Sequence, residues 1–471
     1  MSWSGGSRSS EPSLDQPIGA QEHRRRDRER ALEVAERDVG PGRAGQREPR
    51  GAGRSPARLV ESLAVTDLPL TGVVVLDLTR VLAGPHCTRL LADLGARVIK
   101  IERPGEGDDQ RRNYLQLEPG RRDQSTYFVR VNAGKESVAV DMARPEGQDI
   151  IRDLARVADV MVENFMPGVV ARLGCDYERM RAVKPDLVYC SISGFGQTGP
   201  WRARPAFAHI VNAVSGMMHL EQGDEAAPRS TNLQSADVLA GTHAAAAIMG
   251  ALFRRARTGQ GAYIDVSMLE ALVSADSTTY AAVLNGGEEY GSPRPGMIVA
   301  RVGDRHVAMQ FVGAEHLWPR LVALMGRPEL ERDPRFDTAE KRRRNWGELR
   351  AIVDGWLATF PTSDDALRAL AEARLPCAPV LRPAEVVASP HLAARAFFPT
   401  VPHAARGTVR VTASPFHLDG RPVHPRAGAP YRVGEHTRAV LAGLLGYPAE
   451  RIQALQGAGV IGAVPETGGD P

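Results

Sequence analysis

The chain has 471 residues, enough for two or three domains and a sizeable buried core. Hydrophobic residues make up 43% of it, and no apolar run approaches the roughly 18 residues of a membrane span. The formal net charge is +3, and residues 1–60 carry this excess, with twelve Arg, no Lys and nine Asp and Glu. The remainder is close to neutral, which disfavours a nucleic-acid-binding surface.

The first segment mixes charges of both signs in "EHRRRDRERALEVAERD", flanked by Gly, Ser and Pro. It lacks the apolar core of a signal peptide, and its acidic residues argue against a mitochondrial presequence. We therefore expect residues 1–67 to be a disordered tail. The four cysteines show no CxxC pairing and no cluster with His, so neither a disulfide framework nor a zinc site is supported and a cytoplasmic location is expected.

Structure is expected to begin near Leu68. The run "TGVVVLDLT" (71–79) predicts a buried strand, "GPHCTRLLADLGA" (84–96) a helix and "RVIKIE" (97–102) a second strand. This βαβ unit implies parallel strands. The pattern recurs as a strand at 137–142, a helix at 146–158, a strand at 159–164 and a long Ala-rich helix from Asp237 to about Arg257. We predict a doubly wound α/β domain.

A different pattern follows. Residues 285–298, "NGGEEYGSPRPGMI", predict a Gly/Pro linker, and "VARVGDRHVAMQFV" (299–312) predicts two short strands paired around Gly-Asp. Helices are predicted through about Arg374, then a β-rich segment, "GTVRVTASPF", and two closing helices.

The loop after the first strand has one glycine in "RVLAGPHCT", so the GxGxxG fingerprint is absent, as are P-loop, GxSxG and HExxH motifs. Backbone amides near Leu82 and Ala83 are candidates to contact a ligand, with a plain structural turn as the alternative.

Four polar residues follow strands of the predicted sheet or begin the next helix. They are Arg103, Lys135, Asn164 and Arg172. Carboxyl ends of parallel strands meet at one edge, so together these residues predict a site for a phosphate-rich nucleotide. A residue of this kind alone is more often a solvated surface charge.

Three further residues are candidates for acid–base or nucleophilic chemistry. Asp237 starts the long helix and Glu315 precedes another, and for both the alternative is an acidic residue favoured by the helix dipole. His209 follows the helix entry of "RPAFAHIVNAVSGM", where a structural histidine is the alternative.

The ordered segments resemble the class III CoA transferases, which include formyl-CoA transferase, carnitine-CoA transferase and α-methylacyl-CoA racemase. The resemblance rests on "LTGVVVLDLTRVLAGPHCTRLLADLGARVIKIERPGEGD", "VAVDMARPEGQDIIRDLARVADVMVENFMPGVVARLG", "PDLVYCSISGFGQTGP" and "ADVLAGTHAAAAIMGALFRRARTGQGAYIDVSMLEAL". It covers residues 68 to about 460.

The resemblance implies a Rossmann-like large domain built from N- and C-terminal segments, a smaller α+β domain, and a ring-like chain interlocked with a second copy. The implied boundaries are 68–284 for the large CoA-binding domain, 285–395 for the small domain, 396–460 for the segment returning to the large domain, and 461–471 for a disordered tail. CoA or acyl-CoA is the implied ligand, with no metal, nucleic acid or membrane, and the implied partner is a second copy or another family member.

Carried over by motif, the resemblance implies that Leu82 and Ala83 line the CoA chain. It places the adenine and phosphates on Arg103, Lys135, Asn164, Phe165 and Arg172. This sequence departs from the family pattern at Glu136, where Arg is usual, and at Met166, where a basic residue is usual.

The family mechanism uses an Asp that attacks the acyl-CoA carbonyl and then takes CoA as an enzyme thioester. Aligned on "SGM", the expected position of this Asp is Ala208, and the racemase histidine matches Phe207. Three hypotheses follow. The first is a CoA transferase, with either a substitute nucleophile or a partner subunit that supplies the Asp. The second is an acyl-CoA isomerase that moves protons through Asp237, Glu315 or His209. The third is a catalytically inactive CoA-binding subunit.

Overall fold

A six-stranded parallel sheet in the order β3-β2-β1-β4-β5-β6 organises the N-terminal half of the chain. The computed structural model describes residues 68–222, 233–276, 278–287, 296–311 and 315–462. The strands are β1 Val74–Asp77, β2 Arg97–Glu102, β3 Lys135–Ala139, β4 Val160–Glu163, β5 Val188–Ser193 and β6 Ala262–Ser267. This confirms the predicted α/β class, and the strand order reverses between β1 and β4 as in doubly wound sheets.

Three predicted segments lie wholly or partly outside the described residues. They are the tail 1–67, residues 288–295 of the linker, and residues 463–471 of the terminal tail.

Helices connect the strands and cover both faces of the sheet. In chain order they are α1 Ala83–Asp93, α2 Thr126–Asn132, α3 Pro145–Val157, α4 Val169–Arg172, α5 Tyr177–Val183, α6 Ala208–Val214, α7 Met217–Gln222, α8 Ser235–Thr258, α9 Met268–Val273 and α10 Thr279–Leu284. Successive residues of β1 point to opposite faces, so Val75 packs in one core with α1 and α8, and Leu76 in the other with α3.

The third strand differs from its prediction at 137–142. It begins at Lys135 and ends at Ala139, because the chain leaves the sheet at Val140 to form a bridge with Ile461. The backbone N–H of Asp141 then donates to the Val460 carbonyl at 2.8 Å. Apolar residues of the last two helices pack on the same face of the sheet as Leu76.

A second antiparallel sheet, β7-β8-β9, has a core of its own. Its strands are β7 Met297–Val302, β8 Arg305–Gln310 and β9 Cys377–Pro379. The predicted hairpin around Gly-Asp is confirmed, since Val302 pairs with Arg305 across a two-residue turn. The helices of this region are α11 Leu317–Leu324, α12 Ala339–Arg344, α13 Trp346–Leu357, α14 Ser363–Glu372, α15 Pro383–Val387 and α16 Pro390–Ala394.

The chain closes with two short hairpins and two helices. These are β10 Thr400–His403, β11 Gly407–Arg410, β12 His417–Leu418, β13 Arg421–Pro422, α17 Thr437–Gly443 and α18 Ala449–Gly457. Among the described helices, α8 has the length and apolar composition that would suffice to cross a membrane. Length and composition alone do not separate such a helix from a core helix, and Ala240, Ala244 and Ile248 of α8 are fully buried.

Candidate functional site

A cavity of about 690 Å³ lies at the carboxyl edge of the parallel sheet. Its walls come from the segments that follow β1, β2, β3, β4 and β5, together with the start of α8. Ligands of doubly wound sheets bind in this crevice, next to the point where the strand order reverses. The cavity is therefore the candidate active site.

Asn164 holds the loop that follows β1. Its Nδ2 donates to the Arg80 carbonyl at 2.7 Å, and its Oδ1 accepts from the Arg80 N–H at 2.8 Å. The Arg80 guanidinium lies 5.6 Å from the centre of the Phe165 ring, and all three residues line the cavity. Val81 in the same loop has φ of 69°, which is unusual for a β-branched residue. Leu82 is buried outside the lining.

Lys135 lies beneath this loop rather than in the cavity wall. Its Nζ donates to Asp77 Oδ2 at 3.0 Å and to Thr88 Oγ1 at 2.7 Å, and the side chain is fully buried. Burial lowers the pKa of Lys135 to about 8, although Asp77 favours the charged form. The ammonium thus joins β3 to β1 and α1, and the structure does not bring it to the cavity.

Asp237 is the third residue of the 24-residue helix α8 and lines the cavity. The backbone N–H of Ala83, which also lines the cavity, favours the ionised form of its carboxylate. Burial raises the pKa of Asp237 to about 6, although the Ala83 N–H and the nearby His209 favour the ionised form. The carboxylate is therefore mostly ionised above pH 7 and only partly solvated, which suits a nucleophile or a base.

Ala208 is the first residue of α6 and is 4% exposed. It packs in the same apolar core as Ala236, the residue before Asp237. Its neighbour Phe207 lines the cavity and is 68% exposed, and His209 is exposed. Asp237, at the start of α8, lines the same cavity as Phe207.

Glu315 lies in the region of β7, β8 and β9, and it is not among the residues that line the cavity. Its Oε2 accepts from Nη2 of the buried Arg342 at 2.6 Å, and its side chain is 70% exposed. Within the described chain, the structure does not bring Glu315 and Asp237 together.

The predicted phosphate-binding residues occupy different positions. Arg103 lines the cavity and pairs with Glu106 at 2.5 Å. Lys100, which the sequence analysis did not single out, also lines it and lies 2.9 Å from Asp108 Oδ2. Arg172 is exposed at the end of α4 and is not among the lining residues.

Sequence reasoning missed the cavity wall next to β5. Arg202, Arg204 and Ser193 line it, together with Met268 at the start of α9. The available signal was the stretch "GQTGPWRARP", which begins just after the carboxyl end of a buried strand. Among the residues that the structure describes, no group of three His, Cys, Asp or Glu side chains is arranged to hold a metal ion.

Residues 70–437 match the family model described as CoA-transferase family III. The chain is 33% identical over 422 residues to the formyl-CoA:oxalate CoA-transferase of Streptomyces coelicolor, covering 84% of this chain and 100% of that protein. It is 33% identical over 407 residues to the succinyl-CoA:glutarate CoA-transferase of Homo sapiens, covering 83% of this chain and 90% of that protein.

A crystal structure of a CAIB/BAIF family protein from Brucella suis has a similar fold, with a TM-score of 0.69 and 31% sequence identity. That match covers 80% of this chain and 99% of the Brucella protein. The parallel sheet, the cavity at its carboxyl edge and these matches lead to one conclusion: the chain belongs to CoA-transferase family III.

Proposed function

We propose that this protein transfers CoA between an acyl-CoA and a carboxylic acid, with Asp237 as the residue that carries CoA. The observation that supports this most strongly is the placement of the Asp237 carboxylate. It lies at the start of α8, where the Ala83 N–H favours its ionised form, and it lines the cavity at the carboxyl edge of the sheet.

The proposed reaction proceeds by four acyl-transfer steps. An Asp237 oxygen attacks the thioester carbonyl of the donor, which forms a mixed anhydride and releases the CoA thiolate. The thiolate then attacks the Asp237 carbonyl, which forms an enzyme thioester and releases the first acid. The carboxylate of the acceptor attacks this thioester, giving a second anhydride and the thiolate. The thiolate finally attacks the acceptor's acyl carbon, so the new acyl-CoA leaves and Asp237 is regenerated.

The surroundings of Asp237 favour this chemistry. The N-terminus of a 24-residue helix stabilises negative charge nearby, and the Ala83 N–H is placed to bond an Asp237 oxygen as charge develops on it. With a pKa of about 6, the carboxylate is a stronger nucleophile than an ordinary Asp and is still ionised at neutral pH.

We propose that CoA extends from Asp237 along the loops after β1, β2 and β4. Ala83, Arg103, Asn164 and Phe165 line this path. Leu82, Lys135 and Arg172 lie outside the lining, and we assign Lys135 to positioning of the β1 loop. No metal enters the proposed reaction.

Substitution of Asp237 tests the proposal. We expect Asp237→Asn to lower the rate of CoA exchange between acyl-CoA and free acid by at least about a thousandfold, because an amide is not a nucleophile. The matched control is Asp364→Asn, at an exposed Asp in the first turn of α14. This substitution also removes a negative charge from a helix N-terminus, and it should leave the exchange rate unchanged. An Asp237→Asn protein with near wild-type exchange would rule the proposal out.

The isomerase hypothesis predicts a different observation. Proton transfer at the α-carbon exchanges deuterium from heavy water into a bound acyl-CoA, and we expect no such exchange. The partner-subunit hypothesis predicts that the purified chain is inactive alone. Since Asp237 belongs to this chain, we expect activity without a second family member.

We further propose a homodimer in the cytoplasm. Apolar side chains are exposed on α6 and α8, including Ile210, Val214, Met249 and Phe253, and a second copy would cover them. All four cysteines are free thiols, three of them buried, as suits a reducing compartment. Light scattering of the purified protein gives the oligomeric state.

A further inference from the structure

We infer that Arg202 and Arg204 bind a second carboxylate of the substrate acid, so that this enzyme selects dicarboxylic over monocarboxylic acids. This inference rests on the proposed function, because it places the reacting carboxylate of the same acid at Asp237. The second carboxylate belongs to the acid whether it arrives as the acyl group of the donor or as the free acceptor.

Among the described residues, five cationic side chains line the cavity, and three of them have an acidic partner. Lys100 pairs with Asp108, Arg103 with Glu106, and Arg80 lies 3.7 Å from Asp109. Arg202 and Arg204 have no carboxylate partner among the residues that the structure describes. A guanidinium that lines a cavity without a partner is available to an anionic ligand.

The two arginines follow a different strand from the residues of the proposed CoA path. They follow β5, whereas Lys100 lies in β2, Arg103 just after it, and Asn164 and Phe165 follow β4. Because β1 and β4 lie between β2 and β5, the ends of β2 and β5 are three inter-strand spacings of about 4.8 Å apart, roughly 14 Å along the sheet edge. Asp237, at the start of α8, lines the same cavity.

The segment that carries the arginines is held in place. The Arg204 guanidinium lies 4.5 Å from the centre of the Trp201 ring, and Trp201 packs edge-on against Phe195 at 5.7 Å. Ala206 contacts the end of the sheet so closely that a Cβ built on Gly194 would lie 2.3 Å from the Ala206 Cβ. A fixed guanidinium loses less conformational entropy on binding than a mobile one.

A buried hydroxyl adds a second polar feature to this wall. Ser193 ends β5, is 7% exposed and lines the cavity, and its Oγ has no hydrogen-bond partner among the described residues. Buried polar atoms are nearly always partnered, so an unpaired hydroxyl in the wall of the same cavity as Arg202 and Arg204 is available to a ligand oxygen.

The test compares diacids with monoacids of equal length. Succinate, glutarate and adipate are paired with butyrate, valerate and hexanoate, and kcat/KM for each acceptor is measured on the full chain. Binding of each acid is measured in parallel by calorimetry in the presence of CoA, so that a result does not depend on turnover. The variants are Arg202→Met, Arg204→Met and the double variant, with Arg204→Lys as the conservative change.

We expect the wild-type protein to favour at least one diacid over its matched monoacid by about tenfold or more, in both binding and kcat/KM. The double variant should lose this preference while it still exchanges CoA with monoacids, and Arg204→Lys should retain part of it. Arg181→Met is the control, since Arg181 is exposed near the Tyr177 ring and outside the cavity lining.

Three outcomes would overturn the inference. The first is a wild-type protein that binds diacids no better than monoacids, and the second is a double variant that keeps the preference for diacids. The third is a double variant whose main defect is a higher KM for the acyl-CoA, because that result would place CoA phosphates on these arginines. Failure of the proposed function is distinct, because diacids would then bind selectively to a protein that transfers no CoA.

Discussion

Gly241 of α8 faces the carbonyl oxygen of Ala83 so closely that a Cβ built on this glycine would lie 2.4 Å from that oxygen. Asp237 lies one helical turn earlier on the same face of α8, and the Ala83 N–H favours its ionised carboxylate. The glycine therefore permits the close approach of α8 to α1 that brings the carboxylate near this backbone N–H.

We predict that Gly241→Ala displaces α8 from α1 and moves the Asp237 carboxylate away from the Ala83 N–H. Overpacking of this kind costs about 1–3 kcal/mol of unfolding free energy. We expect kcat to fall more than KM for the acyl-CoA rises, which steady-state kinetics and urea unfolding measure. Gly250→Ala in the same helix is the control, because no described residue lies within 4 Å of its added Cβ and Ala is the better helix former.

The pKa of Asp237 predicts the pH dependence of the reaction. A nucleophilic carboxylate must be ionised, so we expect the single-turnover rate of enzyme acylation to rise with pH through about 6 and then level off. With an Asp of ordinary pKa as the nucleophile, the acylation rate would level off near pH 5. A rate that falls between pH 5 and 7 would be incompatible with an ionised Asp237 as nucleophile.

The same pKa predicts how Asp237→Asn changes stability. The pKa of Asp237 is 3.8 in the unfolded chain and about 6 in the folded protein, so the folded protein binds this proton more tightly. The contribution of Asp237 to the free energy of unfolding therefore falls as pH rises from 3.8 to about 6. We expect Asp237→Asn to be more stable than wild type by on the order of 1–2 kcal/mol at pH 8 and equal to it near pH 3.5. Thermal or urea unfolding at the two pH values measures the difference.

We predict that Lys135 acts on stability rather than on CoA affinity. Lys135→Met leaves the Asp77 carboxylate buried beside fewer cationic groups, which costs about 3–5 kcal/mol of unfolding free energy. Asp77→Asn on the same background should recover part of that loss. The KM of the folded variant for acyl-CoA should change little, whereas a large rise in KM without a loss of stability would place Lys135 in the CoA site.

Much of the fold followed from local pattern. Apolar runs and helical spacing located β1, α1, β2, α3, β4 and α8 to within a few residues, and the βαβ order implied the parallel sheet. The end of β3 did not follow, because the bridge from Val140 to Ile461 joins residues more than three hundred positions apart. Local sequence carries no information about such a contact.

The candidate site was predicted in part. The structure places Ala83, Arg103 and Asn164 in the lining of the cavity at the carboxyl edge of the sheet, where the sequence pattern predicted a ligand site. Sequence distance could not show that Lys135 points beneath the β1 loop. Nor could it show that Arg202 and Arg204 lie on the cavity wall, since a charged residue after a strand is equally consistent with solvent.

Asp237 shows how tertiary packing changes the interpretation of one residue. From spacing alone, an acidic residue in the first turn of a helix is explained by the helix dipole. Its contact with Ala83, about 150 positions earlier in the chain, adds a backbone donor and a cavity wall. Ala208, where alignment placed the nucleophile, is buried in the same apolar core as Ala236.

The most direct test is to trap the enzyme thioester. The protein is incubated with an acyl-CoA that supports exchange, treated with borohydride, digested and analysed by mass spectrometry. Hydride reduction of a thioester at Asp237 converts its side chain to the primary alcohol of homoserine, and we predict this change at Asp237 only when acyl-CoA is present. Reduction at another carboxylate, or none at Asp237 in a protein that exchanges CoA, would contradict the account.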